Sequence, residues 1–250
     1  MTDAPTPRDP APSRPEFSGV CSICGWTGVF DDCHRSPRES YRCGRCQASF
    51  RYRHQADALL HQYSRRGSAS LAELVKEPGF ADLHVYEAGL IGPFRRYFQA
   101  LPHYVQSYFW DDIPRGGDKD GVRSEDLEDM TFEDETFDLM ITSDILEHVR
   151  HPLRAFAESF RILKRGGKHI FSIPVPWPWL EETRKRVDVS GPEDVFLLEP
   201  RYHGSPVDPQ GSLVYNDFGV DLVGQLEDIG FEVRVPRSHG PNLTFITIRP

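Results

Sequence analysis

The segment FDLMITSD, Phe137 to Asp144, constrains the fold most: it is an apolar run suited to a central strand covered on both faces. Strands of that kind belong to parallel sheets whose crossovers are helices, and the chain around it alternates accordingly. LHVYEAG (Leu83 to Gly89) is expected as a first strand and GPFRRYFQAL (Gly92 to Leu101) as a helix. HYVQSYF (His103 to Phe109) follows as a second strand and VRSEDL (Val122 to Leu127) as a third. After the central run, HPLRAFAESFRILKRGG places Leu153, Phe156, Phe160 and Leu163 at helical spacing, with Gly166 and Gly167 as a C-terminal stop, and KHIFSIPVP resumes the sheet. A polar, Pro-containing insertion comes next. A helix at Val220 to Ile229 then leads to FEVRVPRS and NLTFITI, expected as a closing hairpin joined through SHGPN. The fold class is therefore α/β.

The remainder of the chain differs in composition. Residues 1–18 carry Pro5, Pro7, Pro10, Pro12 and Pro15 with few aliphatic side chains, too little apolar area to offset ordering entropy, and are expected to be a disordered tail. Residues 19–55 are short-looped and Cys-rich, residues 56–79 read as a helical linker with helices near Ala56–Tyr63 and Leu71–Lys76, and residues 80–250 form the α/β part. Residues 1–66 hold 10 Arg against 7 acids, leaving 19 bases against 31 acids, so the net charge of -9 divides into +3 and -12. The acidic larger part is a poor candidate for gripping phosphate backbones unaided. No apolar run is long enough to span a bilayer, and the N-terminus has no signal-peptide core, so the expected compartment is the cytoplasm.

Cys21, Cys24, Cys43 and Cys46 form two C-x2-C pairs separated by eighteen residues, a zinc-ribbon spacing. Four thiolates complete a closed tetrahedral shell, which makes a structural rather than catalytic Zn2+ the expected ion. A redox pair is the alternative. Cys33, beside His34, is left over as a spare thiol or a substitute ligand. Arg35, Arg38, Arg42, Arg45, Arg51 and Arg53, with Tyr41 and Tyr52 among them, suggest either a basic surface fit for RNA or a solvated face.

VYEAGLIGPF, SEDLEDMTFEDETFDLMITSDILEHV and FRILKRGGKHIFSIP together resemble the class I S-adenosylmethionine-dependent methyltransferases, especially those with an N-terminal zinc ribbon, over roughly residues 80–250. The resemblance implies a Rossmann-like sheet of seven strands, six parallel and one antiparallel, with S-adenosyl-L-methionine across the carboxyl ends of the first strands. It implies that Glu87 is the acid ending the first strand and Gly89 the first glycine of the cofactor loop. It further implies that Asp126 receives the adenine amino group, with Leu127 beside it, and that Ser143 borders the methionine portion. Two departures from the family pattern are plain: Ile91 and Pro93 stand where the loop's later glycines belong, and no acid ends the second strand, Asp111 and Asp112 coming late.

Methyl transfer to a hydroxyl or protonated amine needs a proton acceptor, for which His148 is the first candidate and His203 the second; the plainer roles are local hydrogen bonding for His148 and an ordinary loop histidine for His203. Trp177 and Trp179 are placed to stack on a sugar or planar ring, or to pack as a lid, and Tyr215 and Phe218 to close the same pocket. The expected function is methylation of a small-molecule or saccharide-like acceptor, with RNA as second choice and no membrane partner. The rival is a catalytically silent, methyltransferase-like binding protein whose ribbon docks a partner, which would explain Ile91, Pro93 and the missing acid of the second strand.

Overall fold

The structure, a computed structural model, describes residues 16–236 and 243–250. The Pro-rich tail up to residue 15 and the SHGPN connection lie outside the described residues. The N-terminal hairpin pairs β1 (Phe17–Val20) with β2 (Thr27–Phe30), so Phe17 and Ser18, expected in the tail, are paired strand residues. The first long helix, α1 (Phe50–Tyr63), starts ahead of the expected Ala56, and α2 (Leu71–Leu74) and α3 (Pro78–Ala81) are single turns.

Five strands then lie side by side and parallel: β3 (Val85–Ala88), β4 (Tyr104–Tyr108), β6 (Val122–Ser124), β7 (Phe137–Ser143) and β8 (Leu163–Ser172). Between them come α4 (Arg95–Phe98), the edge strand β5 (Asp118–Lys119) and α5 (Pro152–Ile162). The insertion contributes six two-residue strands, β9 (Arg184–Lys185), β10 (Val187–Asp188), β11 (Val195–Phe196), β12 (Tyr202–His203), β13 (Ser212–Leu213) and β14 (Asn216–Asp217). The chain closes with α6 (Leu222–Ile229), β15 (Glu232–Arg234) and β16 (Thr244–Ile248).

The main sheet has the order β15-β16-β8-β7-β3-β4-β6-β5. β16 opposes β8, and β15 opposes β16, so β15 points with the parallel majority. Six strands in one direction and one against them reproduce the expected seven; β5, antiparallel to β6, adds an eighth at the edge. The α/β class is as expected.

Side chains alternate along each central strand, and the two faces bury different partners. On one face Val85, Leu139, Ile141, Ile170 and Ile246 share a cluster with Ile23, Phe30, Leu59 and the cysteines. On the other Tyr86, Met140, Phe171 and Phe245 pack with Phe156 and Ile162 of α5 and Leu222 and Leu226 of α6. The cysteine-bearing segment thus shares its core with the sheet. Gln55 of α1, fully buried, fixes that contact: its amide donates to the carbonyls of Thr142 (3.0 Å) and Ile170 (2.9 Å) and accepts from the Ser143 hydroxyl (2.7 Å).

Three elements differ from expectation. The helix expected over Gly92–Leu101 shrinks to α4: Gly92, ahead of Pro93, has φ +154° and lies outside the helical region, and the segment seats Phe94 and Phe98, both fully buried, in a stack at 5.9 Å. α5 buries Ala155, Phe156, Ser159 and Ile162 while Leu153 is exposed. It runs into β8 with no glycine stop; Gly166 and Gly167 sit inside that strand at a register shift, where a Cβ on Gly167 would meet the Lys164 carbonyl at 2.7 Å.

Candidate active site and cysteine cluster

One cleft of about 1670 Å³ opens at the carboxyl ends of β3, β4, β6 and β7, walled by the N-terminal segment on one side and the insertion on another. Such an end is where open α/β sheets place ligands. It brings together Glu87, Gly89, Asp126, Leu127, Ser143, His148 and His203, all singled out in the sequence.

Glu87 ends β3 and is 5 % exposed; the Tyr104 hydroxyl donates to it at 2.7 Å. Burial pushes its carboxyl up, to about 7, against the opposing pull of that hydrogen bond and of Arg95. Gly89 follows with φ +120°, a conformation costly for a residue with a Cβ, and a Cβ there would also crowd the Ile145 side chain at 3.2 Å. The Gln106 amide donates to the Gly89 carbonyl at 2.6 Å, so the second strand props the loop where an acid was sought. Asp111 lines the cleft, whereas Asp112 faces Lys119 at 3.2 Å. Ile91 lies at the mouth, 68 % exposed, and Pro93 does not line the cleft, so neither departure from the glycine pattern fills it. Asp126 turns the chain after β6 by accepting the Glu128 N–H at 2.9 Å.

The aromatic candidates separate. Trp177 is exposed on the cleft, while Trp179 donates to the Phe218 carbonyl and packs on Phe245 in the core. Tyr215 lines the cleft with its hydroxyl on Asp194, and Phe218 is buried away from it.

No pattern along the chain points to the node beside Ser143. Asp144 adopts φ +53°, a left-handed turn that Asp tolerates better than most residues, and its carboxylate receives both Arg38 Nη atoms at 2.8 Å and the Ser172 hydroxyl at 2.9 Å. Arg51 Nε lies 3.2 Å from it and 2.8 Å from Glu39. Burial alone would raise the Asp144 carboxyl; Arg51 and Arg38 overcome it and hold the group at about 2. Arg38 Nε and Arg51 Nη1 are buried without a protein acceptor, and both residues line the cleft. Arg53 is also buried, with its guanidinium 3.5 Å from the Phe30 ring centre. The continuous basic face drawn from the six arginines is therefore absent: Arg38, Arg51 and Arg53, with Tyr41, are interior.

The four cysteine sulfurs lie within 4.8 Å of one another, with Cys21–Cys46 at 3.7 Å and Cys24–Cys43 at 3.6 Å. Sulfurs about 2.3 Å from a shared zinc stand about 3.8 Å apart in a tetrahedron, so the donor set fits that ion. The Arg45 N–H points at the Cys43 sulfur at 3.4 Å, as a thiolate favours. Cys33 is exposed and outside this cluster.

Residues 110–171, about a quarter of the chain, match the family model described as a methyltransferase domain. An uncharacterized protein of Methanocaldococcus jannaschii is 44% identical over 46 residues, 18% of this chain and 22% of that protein. The chain thus matches about a fifth of the length of that curated relative. Among solved structures, an S-adenosylmethionine dependent methyltransferase of Mesorhizobium loti superposes with a TM-score of 0.44 at 18% identity, covering 67% of this chain and 91% of that one. The glycopeptide N-methyltransferase MtfA, complexed with S-adenosyl-L-homocysteine, gives 0.45 at 16% identity, covering 78% and 97%. Among the described residues no helix is long and apolar enough to cross a membrane. The segment from Trp110 to Phe171, which holds Asp126, all of β7 and the Leu146–His148 turn, carries the sequence pattern of a methyltransferase domain.

Proposed function

We propose that the protein is an S-adenosylmethionine-dependent methyltransferase acting on a small-molecule or saccharide-like acceptor, with a structural zinc in its cysteine cluster. The observation that carries this reading is the cleft itself. It joins the residues expected around the cofactor to a second wall made by the insertion, which leaves room for an acceptor. The cofactor supplies an electrophilic methyl on a sulfonium. The chain's own residues bind and align. Asp126 offers an acceptor to the adenine amino group, Leu127 an apolar face, and Asp111 a carboxylate within the same cleft for the ribose hydroxyls. Glu87 and the Gly89 turn frame the methionine end. The spare donors of Arg38 and Arg51 suit a carboxylate there. Trp177 and Tyr215 bound the acceptor side, and the proton released by a hydroxyl or ammonium acceptor leaves toward His148 and His203. Ile91 is turned largely to solvent and Asp111 brings a carboxylate to the cleft, which favours this reading over a silent binding protein.

Calorimetry with S-adenosylmethionine tests it. Binding is expected in the wild type, and Asp126→Ala should weaken it by about 1–3 kcal/mol, the usual cost of an unpaired buried partner. Absence of binding and of any thermal shift at millimolar cofactor refutes the proposal. A metabolite screen with labelled cofactor then identifies the acceptor.

A further inference from the structure

At the insertion side of the cleft three side chains from two segments converge. Glu147 and His148 come from the turn Leu146–His148, and His203 comes from β12. Glu147 has a fully buried side chain, and among the described residues neither of its carboxylate oxygens has a hydrogen-bond partner. His148 Nε2 stands 3.6 Å and His203 Nδ1 3.5 Å from the same oxygen, Oε1. All three donor atoms lie within 4.8 Å of one another.

The tautomer of His148 follows from its other nitrogen. Nδ1 is 2.7 Å from the Leu213 carbonyl, which can only accept, so Nδ1 carries the hydrogen and in the neutral ring Nε2 presents a lone pair. A lone pair facing a buried, unpartnered carboxylate is repulsive unless a cation stands between them. The spacing indicates its size. A charged N–H···O hydrogen bond spans about 2.7–2.9 Å, shorter than either distance here. Donors about 2.1 Å from a shared ion stand about 3.0 Å apart in an octahedron and about 3.4 Å in a tetrahedron; the two histidine–carboxylate spacings, 3.6 Å and 3.5 Å, lie near the tetrahedral value.

We propose that Glu147, His148 and His203 bind one divalent first-row transition-metal ion, with an open coordination position turned to the cleft for an oxygen donor of the acceptor. Two imidazoles and a carboxylate suit zinc or iron better than magnesium, and three protein donors leave at least one position free. Both histidines line the cleft, which gives that position its direction. One hairpin builds most of the site: β12 carries His203, and its partner β13 carries the carbonyl that orients His148. The Tyr215 N–H, just beyond, holds the Glu147 carbonyl at 2.8 Å. The metal site stands on this geometry alone; a bound ion occupies the imidazole lone pairs that take the acceptor's proton in the metal-free protein, and its use for acceptor oxygens rests on the proposed function.

Cobalt(II) is the probe, titrated into the full chain with zinc already in the cysteine cluster. One further equivalent is expected, with visible bands of nitrogen and oxygen ligation and no thiolate charge-transfer absorption. His203→Ala, a partly exposed hairpin position, should weaken it at least about tenfold while zinc content and melting temperature stay unchanged. Glu147→Gln should abolish it. No additional cobalt, or wild-type affinity in His203→Ala, overturns the site. S-adenosylmethionine calorimetry on the same samples keeps the two proposals apart: cobalt without cofactor binding refutes the methyltransferase reading alone, and the reverse refutes the metal site alone.

Discussion

Replacing Asp144 by Ala should destabilise the protein by about 3–5 kcal/mol, because it removes the carboxylate from a buried charge node and leaves Arg38 and Arg51 with Glu39 as their remaining counter-ion. Part of that value is the carboxylate's own gain in the node, and the rest is the cost of leaving two buried arginines beside one carboxylate. The side chains of Arg38, Arg51 and Asp144 are 8%, 9% and 17% exposed, so water screens them poorly. The Asp144 carboxyl is held at about 2 against an ordinary 3.8, a difference worth about 2 kcal/mol in favour of the charged form. A depressed folded-state value means that this contribution is complete above about pH 4 and is lost as pH falls through about 2. Urea unfolding of the metal-saturated protein at pH 7, followed by both fluorescence and circular dichroism, measures the loss. The acid limb is the sharper check: between about pH 4 and pH 2 the wild type should lose stability that Asp144→Ala never had. A loss below about 1 kcal/mol at pH 7, or parallel acid limbs, would show that the node contributes no net energy and that Gln55 and the apolar cluster alone fix the cysteine segment to the sheet.

Three further outcomes follow from the same geometry. Cys43→Ser should release the zinc and lower the midpoint of the whole chain, not only of the N-terminal segment, because Cys21 and Cys43 lie in the cluster that contains Leu139 and Ile170; metal analysis and hydrogen exchange across β7 and β8 read both. Glu87 keeps its proton in the folded chain to about pH 7 but releases it near 4.5 when unfolded, so stability falls as pH rises between those values. Glu87→Gln should remove that slope, worth about 3 kcal/mol, and cofactor affinity in the wild type should rise as pH passes 7 and the carboxylate forms, with proton release visible in buffers of different ionisation enthalpy. Gly211→Ala should mimic His203→Ala in the cobalt titration, since a Cβ at φ +92° would sit 2.1 Å from the His203 carbonyl and force β12 from β13; cofactor affinity should be unaffected.

Much of this architecture was legible because period and spacing express it directly. FDLMITSD could hardly be anything but a covered strand, and the two C-x2-C pairs point to their own convergence, since each pair is local and four thiol groups at that spacing suit one ion. The same local rules misjudged the arginines. Arg38, Arg51 and Arg53 look like a basic surface when counted along the chain, but what buries them, Asp144 and Glu39 for two and the Phe30 ring for the third, is set by how the N-terminal segment lies on the sheet. Length and composition carry no record of a bidentate pair 106 positions apart.

His203 makes the point more strongly. In the sequence it is one histidine in a Pro- and Gly-rich insertion, and a loop histidine is the sensible reading. Its meaning depends on three distant facts: that Leu146–His148 is a tight turn at the end of β7, that Glu147 points inward with nothing to bond, and that Gly211 lets β12 and β13 close so that one strand presents a ligand while the other orients its neighbour. The turn is local, but the other two are tertiary consequences, of which only Gly211 leaves a trace in composition. The L-E-H-V tail therefore has two separable parts in this chain. Its backbone turn belongs to the methyltransferase pattern over residues 110–171, whereas the partner of its Glu and His comes from the insertion, outside that pattern. Chemistry that distinguishes this protein should accordingly vanish with changes in β12 and β13 that leave the sheet and its cofactor end intact.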